Sequence, residues 1–452
     1  MIVKGAIMGA TTHSHKEHAT AVAPFHSNFF ESLHKEQWQE VRLGEVAEII
    51  NGYAFKSSNF STHQKQDFLP IIKIKNVANG DVNFNDVVFH LYNEKLEKFL
   101  IKENDILVSL TGNHPHAKSQ VVGQISKYRH RQFALLNQRV GKIIAKNADK
   151  NFLYFLFKTK GIHNDLASRS SGSGNQANIS SNDIENLVIP LPPLNVQQQI
   201  AEILGGFDDK IDLLHRQNKT LESLALALFR HTFMDNPKNP NAPCHSRQAC
   251  NCHSEPALAG EESIDIKSHR DISASPQYDK WEMGKLGDYV TIVYGKNLPT
   301  KKLLPQGYSV FGGNGKIGYF DKYLYEEPQV LLSCRGEASG KVNVSERKSF
   351  VTNNSLVLER TKDKDITFYY LKYYCLSSNF YIYVSGSAQP QITIEGLYRA
   401  SFLKPDFNTI NEFSKIVSDF ENKIENNQKQ IEALQSMRDM LLAKILNEKM
   451  EV

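Results

Sequence analysis

The chain has 452 residues, 40% of them hydrophobic, which is too long for one ordinary core and enough for two domains with connecting helices. It has no run of about eighteen apolar residues, and Met1 to Ala23 make a poor secretory signal, so a membrane protein and a secreted protein are disfavoured. With only five cysteines, a disulfide framework is not expected and a reducing cytoplasm is.

The net charge of +4 is unevenly distributed. Residues 38–194 contain 19 Lys and Arg against 14 Asp and Glu, and residues 281–405 contain 16 against 11. Residues 195–234 contain 4 basic against 5 acidic residues, and residues 406–452 contain 6 against 9. Two basic segments on neutral or acidic connectors favour a polyanion bound at two places. Chance scatter of a few charges is the alternative.

The first half of the chain starts with an extension, residues 1–36, which has five of the sixteen histidines and no periodicity, and we expect it to be disordered. Residues 37–194 are predicted to form a first domain. Short β-type segments separated by Gly- and Asn-rich turns, followed by a helical patch, predict a mixed sheet with small helices. The predicted strands are Val46–Ile50, Leu69–Ile74, Ile106–Leu110 and Val140–Ile144, and the helical patch is Asn151–Lys160.

Residues 195–234 are predicted to form a long helix, which starts after Pro190, Pro192 and Pro193. Its apolar positions alternate in steps of four and three, the spacing of a coiled-coil seam. These positions are Ile200, Leu204, Phe207, Ile211, Leu214, Asn218, Leu221, Ala225 and Leu228.

Residues 235–280 are rich in Pro, Asn, Ser and Glu, and we expect a disordered linker there. The linker contains Cys244, His245, Cys250, Cys252 and His253, but this spacing matches no common zinc site, so no metal site is predicted.

The second half repeats this plan. Residues 281–405 are predicted to form a second domain, with strands at Val290–Val293, Val330–Leu332 and Ser355–Leu358 and a helical patch at Thr367–Leu376. Residues 406–452 are predicted to form a second long helix after Pro405. Its seam positions are Ile410, Phe413, Val417, Phe420, Ile424, Asn427, Ile431, Leu434, Arg438, Leu441 and Ile445.

Asn218 and Asn427 both fall at seam positions. A buried Asn costs stability and specifies the register of a coiled coil, so these two residues are candidates for setting how the helices pair. Tolerated polar residues in a loosely packed layer are the alternative.

The two halves are copies of one another. Trp38–Gly44 returns as Trp281–Gly287, and Phe207–Ile211 returns as Phe420–Ile424. The first copy is about thirty residues longer, all within its variable middle. Similar ends around dissimilar middles indicate a duplicated scaffold that presents two different surfaces.

Catalytic motifs are not found. Gly313–Gly318 satisfies GxGxxG, but Tyr319, Phe320 and Asp321 follow it, which predicts a strand and turn in place of the helix that a dinucleotide fold needs. Gly336–Lys341 lacks the Walker spacing, and Pro192–Pro193 follows Leu191, not the Asn or Asp that amino-methylating enzymes use. No HExxH or GxSxG motif occurs, so we predict a non-catalytic protein.

Polar and basic loops remain, and they suit nucleic acid. Asn and Gln can bond adenine edges, Arg and Lys can bond guanine, and Ser, Thr and Lys can hold phosphates. Each loop alone is more often an ordinary turn, but their concentration in the two basic copies favours DNA. The candidates in the first copy are Lys56, Lys73, Lys75, Asn76, Thr111, Asn113, Asn137, Gln138 and Arg139. Those in the second copy are Lys296, Asn314, Lys316, Arg335, Ser339, Lys341, Asn353 and Asn354.

From Trp38 to Ile445 the chain resembles the specificity subunit of type I restriction–modification enzymes. The resemblance is carried by Leu43-Gly44 and Leu286-Gly287, the stretch Val310–Asp321, Gly386–Thr393, and Ile189–Leu204 leading into the long helix. The His-rich start and the 235–280 insertion depart from the family pattern.

The resemblance implies an α+β fold with two similar target-recognition domains, each a mixed β-sheet with small helices, separated by two long helices that pair as an antiparallel coiled coil. It implies that the chain binds bipartite double-stranded DNA, one half-site per domain. Two methyltransferase subunits and a restriction motor subunit would be its partners. The cofactors S-adenosylmethionine, ATP and Mg²⁺ would belong to those partners.

Two other hypotheses stay open at this point. One is a coiled-coil scaffold that assembles proteins without touching DNA. The other is a self-sufficient methyltransferase, which would need an amine-binding motif that the sequence lacks.

Overall fold

The computed structural model describes residues 38–77, 81–113, 122–171, 176–242, 281–386 and 389–447. The chain forms two compact units: unit 1 comprises residues 1–213 and 431–452, and unit 2 comprises residues 214–430. The predicted N-terminal extension, and residues 243–280 with their cysteines and histidines, lie outside the described residues. Within the described ranges no helix is long and apolar enough to cross a membrane.

Within its described residues, unit 1 contains a sheet domain made of twelve short strands and four short helices. The strands are β1 Gln39–Arg42, β2 Ala47–Asn51, β3 Phe68–Ile72, β4 Val88–Leu91, β5 Leu100–Ile101, β6 Ile106–Ser109, β7 Thr111–Asn113, β8 Ile125–Lys127, β9 Ala134–Leu136, β10 Val140–Ala145, β11 Gln176–Asn178 and β12 Val188–Leu191. The helices are α1 Leu43–Val46, α2 Lys150–Phe157, α3 Lys160–Arg169 and α4 Ser181–Glu185. A long helix, α5 Leu194–Phe229, follows and continues into unit 2.

Two four-stranded sheets form the centre of the sheet domain of unit 1, and β1-β12 and β7-β11 are additional two-stranded pairs. One has the order β2-β10-β6-β8 and the other β4-β3-β9-β5, and both are mainly antiparallel, with one parallel pair, β3 and β9. The residues of β6 and β9 are all buried because the apolar runs in these central strands are covered on both faces. Helix α2 packs its phenylalanines into one core with Ile106 and Val108 of β6, and Asp149 caps the helix by accepting a hydrogen bond from the Phe152 N–H at 2.8 Å.

Unit 2 repeats the arrangement with fewer elements. Its strands are β13 Glu282–Lys285, β14 Thr291–Tyr294, β15 Tyr308–Gly312, β16 Gly315–Phe320, β17 Val330–Ser333, β18 Val342–Val344, β19 Phe350–Val351, β20 Ser355–Glu359 and β21 Ser401–Lys404. Its helices are α6 Leu286–Tyr289, α7 Phe368–Ser377 and α8 Ile394–Tyr398, followed by the long α9 Phe407–Leu442, whose last residues belong to unit 1.

The main sheet of unit 2 has the same strand order as that of unit 1, and its second sheet has three strands, β16-β15-β19, in place of four. The order β14-β20-β17-β18 corresponds to β2-β10-β6-β8, and the parallel pair β15 and β19 corresponds to β3 and β9. The duplication that the sequence predicted is therefore present in the strand order. The expected α+β class, with mixed sheets and small helices in two similar domains, is confirmed.

Residues 235–242 begin the predicted linker but form ordered turns. Asn239 is 5% exposed and donates from its side chain to the Phe233 carbonyl oxygen at 3.0 Å. The Trp281 N–H donates to the Lys238 carbonyl oxygen at 2.9 Å. These contacts fix the start of the second copy against the end of α5 within unit 2.

The two long helices are equal in length, as the internal repeat of the sequence predicts. Each has 36 residues, and each is followed by one π-helical turn, at Arg230–Met234 and Ala443–Asn447. At 1.5 Å per residue each helix is about 54 Å long. All twenty predicted seam residues are buried or half-buried.

Within unit 2 the helices pair antiparallel. Asn427 Nδ2 donates to Asn218 Oδ1 at 2.8 Å, and eleven residues further along α5 the ring of Phe229 contacts Phe413, which lies earlier on α9, at 5.6 Å between centroids. Asn427 is fully buried, and its Oδ1 atom has no hydrogen-bond partner among the described residues.

A buried ion cluster connects the sheet domain of unit 1 to the long helices. Asp208, on α5, is 7% exposed and lies 2.7 Å from Arg438 Nη1 and 3.3 Å from Lys158 Nζ. Burial alone would raise the pKa of the Asp208 carboxyl, but Lys158 and Arg438 together hold it below its ordinary value. Unit 2 has a related ion pair between a long helix and its sheet domain: Glu421 on α9 lies 2.5 Å from Lys372 on α7.

Candidate nucleic-acid interface

A glycine follows β2 in the first copy and β14 in the second, and there it permits a close approach of two backbone segments. A Cβ atom at Gly52 would lie 2.1 Å from the carbonyl oxygen of Asn137. A Cβ atom at Gly295 would lie 2.2 Å from the carbonyl oxygen of Thr352. Only glycine fits such a contact, so the loop after β2 or β14 lies directly against a second loop.

The second loop is the tight turn between β9 and β10, or between β19 and β20. In unit 1 the Tyr53 N–H donates to the Leu136 carbonyl at 2.8 Å, and the Gln138 N–H donates to the Tyr53 carbonyl at 3.0 Å. In unit 2 the Lys296 and Asn353 N–H groups make the same two bonds, at 2.9 and 3.1 Å. Asn137–Arg139 and Thr352–Asn354 are therefore equivalent positions of one scaffold, and all of these residues except Thr352 were separate candidates from the sequence.

Two further loops meet this turn in unit 1. The Leu110 N–H donates to the Arg139 carbonyl at 3.0 Å, which places the start of β7 beside the turn. The Asn137 N–H donates to the Ile72 carbonyl at 3.2 Å, which places Lys73 beside it as well. The structure thus brings the loops that carry the predicted residues of the first copy to one end of the sheets.

The same loops meet in unit 2. The Cys334 N–H donates to the Asn354 carbonyl at 3.0 Å, which places Arg335 next to the turn. Ser333 Oγ donates to the Gly313 carbonyl, and Asn343 Nδ2 donates to that same oxygen at 3.1 Å. The Asn314 loop is held there by these two bonds.

Several of the predicted cations in these loops are exposed and available to a ligand. Lys56, Arg139, Lys296, Arg335 and Lys341 are exposed, and no ion pair described in the structure includes them. Gln138, Asn314 and Asn354 are exposed beside them, while Asn137 and Asn353 are half-buried.

Other predicted cations have partners within the chain. Lys75 lies 3.4 Å from Asp86, and Lys316 lies 3.2 Å from Glu346. Lys73 Nζ lies 4.4 Å from the centre of the Phe60 ring, and partial burial together with Lys75 lowers its pKa. These three lysines are less available than the unpaired cations.

Three predicted residues are buried. Asn76 is inaccessible, accepts from the Lys73 N–H at 3.0 Å and donates to the Asn85 carbonyl at 3.0 Å. Ser339 is 4% exposed and donates to the Pro390 carbonyl at 2.9 Å, and Thr111 is 6% exposed. Their side chains shape the loops from inside. Asn113 lies on β7, paired with Gln176.

Sequence reasoning passed over exposed apolar side chains in these loops. Tyr53 is 44% exposed in the first copy, and Tyr381 and Ile382 are 68% and 69% exposed in the second. Only the three-dimensional position separates the exposed Tyr381 from its buried neighbour Phe380.

The glycine-rich segment Gly313–Gly318 forms a turn and the start of β16. Gly315 has a φ of +105°, which suits the turn between β15 and β16. The prediction of a strand and turn in place of a nucleotide-binding helix is confirmed. Within the described ranges, no group of three His, Cys, Asp or Glu side chains is placed to hold a metal ion.

Comparison with known proteins agrees with this geometry. The family described as type I restriction modification DNA specificity domain matches the chain twice, over residues 35–223 and 278–436. The chain belongs to this family. One match falls on each copy of the internal repeat, so each sheet domain with its adjoining helix is one specificity domain. The two sheet domains are called recognition domains below.

Two relatives show how far the likeness extends. The chain is 24% identical over 434 residues to the type I restriction enzyme MjaIX specificity subunit of Methanocaldococcus jannaschii, over 91% of this chain and 93% of that protein. It is 29% identical over 182 residues to the EcoBI specificity subunit of Escherichia coli, over 40% of this chain and 34% of that protein.

The fold is shared with a solved structure. The type I restriction-modification S subunit from M. genitalium aligns with a TM-score of 0.52 and 17% identity over 91% of this chain and 96% of that one. As a type I specificity subunit, the chain supplies the DNA specificity of a restriction–modification system and is not itself an enzyme.

Proposed function

We propose that this specificity subunit recognises a bipartite duplex sequence, one half-site with the loops of each recognition domain. The observation that supports this most directly is the duplicated loop cluster. The same backbone hydrogen bonds hold the Gly52 and Gly295 loops against their turns, while the side chains presented differ: Gln138 and Arg139 in one copy, Asn353 and Asn354 in the other. A shared scaffold with different side chains suits two different base sequences.

The proposed contact set is narrower than the set predicted from sequence. Arg139 and Arg335, as exposed guanidinium groups without an ion pair in the described residues, are the candidates for bidentate contacts to guanine. Lys56, Lys296 and Lys341 are assigned to phosphates. The buried Asn76, Thr111 and Ser339 are assigned to loop shape.

The long helices support the proposal of two identical partner subunits. Leu194 and Phe407, the first residues of α5 and α9, are 52% and 48% exposed, and Leu224 and Met437, also equivalent in the repeat, are 50% and 52% exposed. An apolar surface presented twice on equivalent residues fits one kind of partner bound twice. We assign these partners to methyltransferase subunits that modify an adenine in each half-site, joined by a restriction motor subunit.

The chemistry of modification and cleavage is proposed to reside on those partners. They would carry S-adenosylmethionine, ATP and Mg²⁺. We place the complex in the cytoplasm. Cys334 and Cys375 are buried free thiols, which fits a reducing compartment.

The proposal is tested by the salt dependence of DNA binding by the assembled complex. If the exposed lysines and arginines of both loop clusters neutralise phosphates, log Kd should rise linearly with log salt, with a slope of roughly 0.9 per phosphate. Duplexes that carry both half-sites should bind more tightly than duplexes with either one. Equal affinity at low and high salt would contradict DNA recognition and favour the scaffold hypothesis.

A further inference from the structure

The most exposed large hydrophobic side chains of the described residues are neighbours in unit 2. Tyr381 and Ile382 are 68% and 69% exposed, and they lie on a single 3₁₀ turn, Phe380–Tyr383. The turn is fixed at both ends: Phe380 is 3% exposed in the core, Tyr383 packs against the same core, and Asn379 Oδ1 accepts from the Tyr381 N–H at 3.1 Å. Residues three apart in a 3₁₀ helix share a face, so anchoring Phe380 and Tyr383 directs Tyr381 and Ile382 outward.

A glycine holds this turn against a predicted DNA-contacting loop. Gly340 has a φ of +92°, and a Cβ atom there would lie 3.1 Å from the Tyr381 nitrogen and 3.2 Å from its Cα. The segment that carries Ser339 and Lys341 therefore lies in direct contact with the base of the turn.

The turn and this loop share one cavity of about 410 Å³. Asn314 and Lys341, two exposed residues predicted independently to contact DNA, line the cavity together with Tyr381 and the buried Ser339. Glu337 is its one acidic side chain, and a carboxylate can accept from the amino group of cytosine. Tyr381 therefore lies beside an asparagine and a lysine that has no ion pair among the described residues, and the exposed Ile382 is the next residue of the turn.

We infer that Tyr381 and Ile382 form an apolar wedge that enters a base step of the half-site bound by unit 2. Apolar side chains flanked by cationic and amide groups are the means by which many proteins partly unstack and kink a duplex. Lys341 would hold a phosphate beside the kinked step, and the Tyr381 ring would stack on the exposed base face. The inference rests on the proposed function.

The wedge is specific to the second recognition domain. After α2, the equivalent position of unit 1 continues into helix α3, Lys160–Arg169, whose apolar residues Ile162 and Leu166 are buried. No exposed large hydrophobic side chain is described there. Unstacking is therefore expected in one half-site only, and the other half-site is an internal control.

The experiment uses the complete complex with its methyltransferase subunits and a duplex in which 2-aminopurine replaces single bases across each half-site, outside the methylated adenine. The wild-type complex should increase the fluorescence at one step of the second half-site. Tyr381→Ala should abolish this increase and weaken specific binding about 10-fold, the low end of the effect of one lost base stack. Tyr381→Phe keeps the ring and should retain both properties.

Two controls separate stacking from charge and from folding. Lys341→Ala should lower the salt slope by about one, whereas Tyr381→Ala should leave it unchanged. Tyr323→Ala removes another exposed tyrosine of unit 2, one that does not line the cavity, and should change neither fluorescence nor affinity.

The outcomes distinguish the wedge from the proposed function. If Tyr381→Ala keeps both the wild-type fluorescence increase and specific binding, the wedge is wrong and the proposal of DNA recognition is unaffected. A wild-type complex without sequence-specific binding would overturn both. If Tyr381→Ala instead prevented partner subunits from assembling while the fluorescence increase remained, the surface would be a protein-binding site and the wedge would be wrong.

Discussion

Gly52 and Gly295 illustrate how a single side chain decides the geometry of the interface. Any Cβ atom at either position would overlap a carbonyl oxygen of the facing turn, at 2.1 or 2.2 Å. The recognition loops can meet only because that atom is missing. The side chains on the facing turns, Gln138 and Arg139 or Asn353 and Asn354, are then free to differ between the copies without altering the scaffold.

The arginines on these loops allow a test of half-site recognition at the residue scale. Arg139→Ala should relax base preference only in the half-site of unit 1, and Arg335→Ala only in the half-site of unit 2. The expected cost is about 1–3 kcal/mol for a lost bidentate contact to a base. Affinity measured on duplexes with each half-site position varied in turn provides the readout.

Two other arginines are matched controls for these changes. Arg169 lies 2.9 Å from Asp165 and Arg347 lies 3.1 Å from Glu327, so neither is available to DNA in the same way. Arg169→Ala and Arg347→Ala should leave base preference unchanged. Equal relaxation of both half-sites by Arg139→Ala would show that the residue contacts phosphate or supports folding.

Among the elements, the long helices were predictable from sequence and the contacts of individual loops were not. The apolar steps of four and three fixed the helix faces, and α5 and α9 each start one residue from the predicted position. The strands β2, β6 and β10 were also predicted, because each is a short apolar run bounded by turn residues. These patterns are local in sequence.

The exposure of loop side chains was predicted less well than the helices and strands, because it depends on residues elsewhere in the sequence. Nothing in the sequence near Asn76 indicates that it is buried against Asn85, and nothing near Ser339 shows that it bonds Pro390, 51 residues away. Lys316 was counted as available although Glu346, thirty residues away, pairs with it. Composition identified the loops, but tertiary contacts decide which of their side chains face solvent.

The pairing of Asn218 with Asn427 supports the register hypothesis and makes a stability prediction at the scale of the helices. Asn427 Oδ1 is buried without a described partner, which costs about 1–3 kcal/mol. Replacing both residues with Leu should therefore raise the thermal midpoint and reduce the discrimination between duplexes with different spacers, because the polar layer no longer excludes other registers. Calorimetry and spacer-panel binding measure the two effects.

Asn426→Leu changes the exposed neighbour of Asn427 and is the control for adding leucine to α9. It should alter neither the register nor the spacer preference. A double leucine variant that melts below the wild type would show that the asparagines stabilise the helix pair. That result would contradict the hypothesis that they lower stability in order to specify the register.

At the scale of the whole molecule, the duplication extends from the sheets to the helices. Both long helices contribute residues to both units, and they have equal length. If helix length sets the unread spacer between the half-sites, a matched deletion in the two helices should change the spacer and not the bases recognised.

The deletion that tests this removes residues 211–217 from α5 and 428–434 from α9. One heptad is lost from each helix, so the seam stays in phase, and the Asn218–Asn427 and Asp208–Arg438 pairs are both retained. Each helix shortens by about 10 Å, which corresponds to roughly three base-pair steps. The preferred spacer should shorten by about that number on a panel of duplexes that differ only in spacer length.

The deletion also has a rotational consequence. Three base-pair steps turn one half-site by roughly 100° about the DNA axis, from about 10.5 base pairs per turn, so affinity should fall even on the best spacer. The control is a deletion in α5 alone, which makes the two helices unequal in length. It should disrupt their pairing, because the Asn218–Asn427 and Asp208–Arg438 contacts can no longer form together. A folded double-deletion variant that keeps the original spacer would show that the helices do not set it.

The central claim, that each recognition domain specifies one half of a bipartite target, is tested most directly by mapping methylated adenines in the host genome. The map is compared between cells with the gene, without it, and with residues 281–405 exchanged for the second recognition domain of another family member. We predict a bipartite methylated motif that disappears without the gene and changes in only one half after the exchange. A motif that persists without the gene, or that changes in both halves after the exchange, would contradict the account.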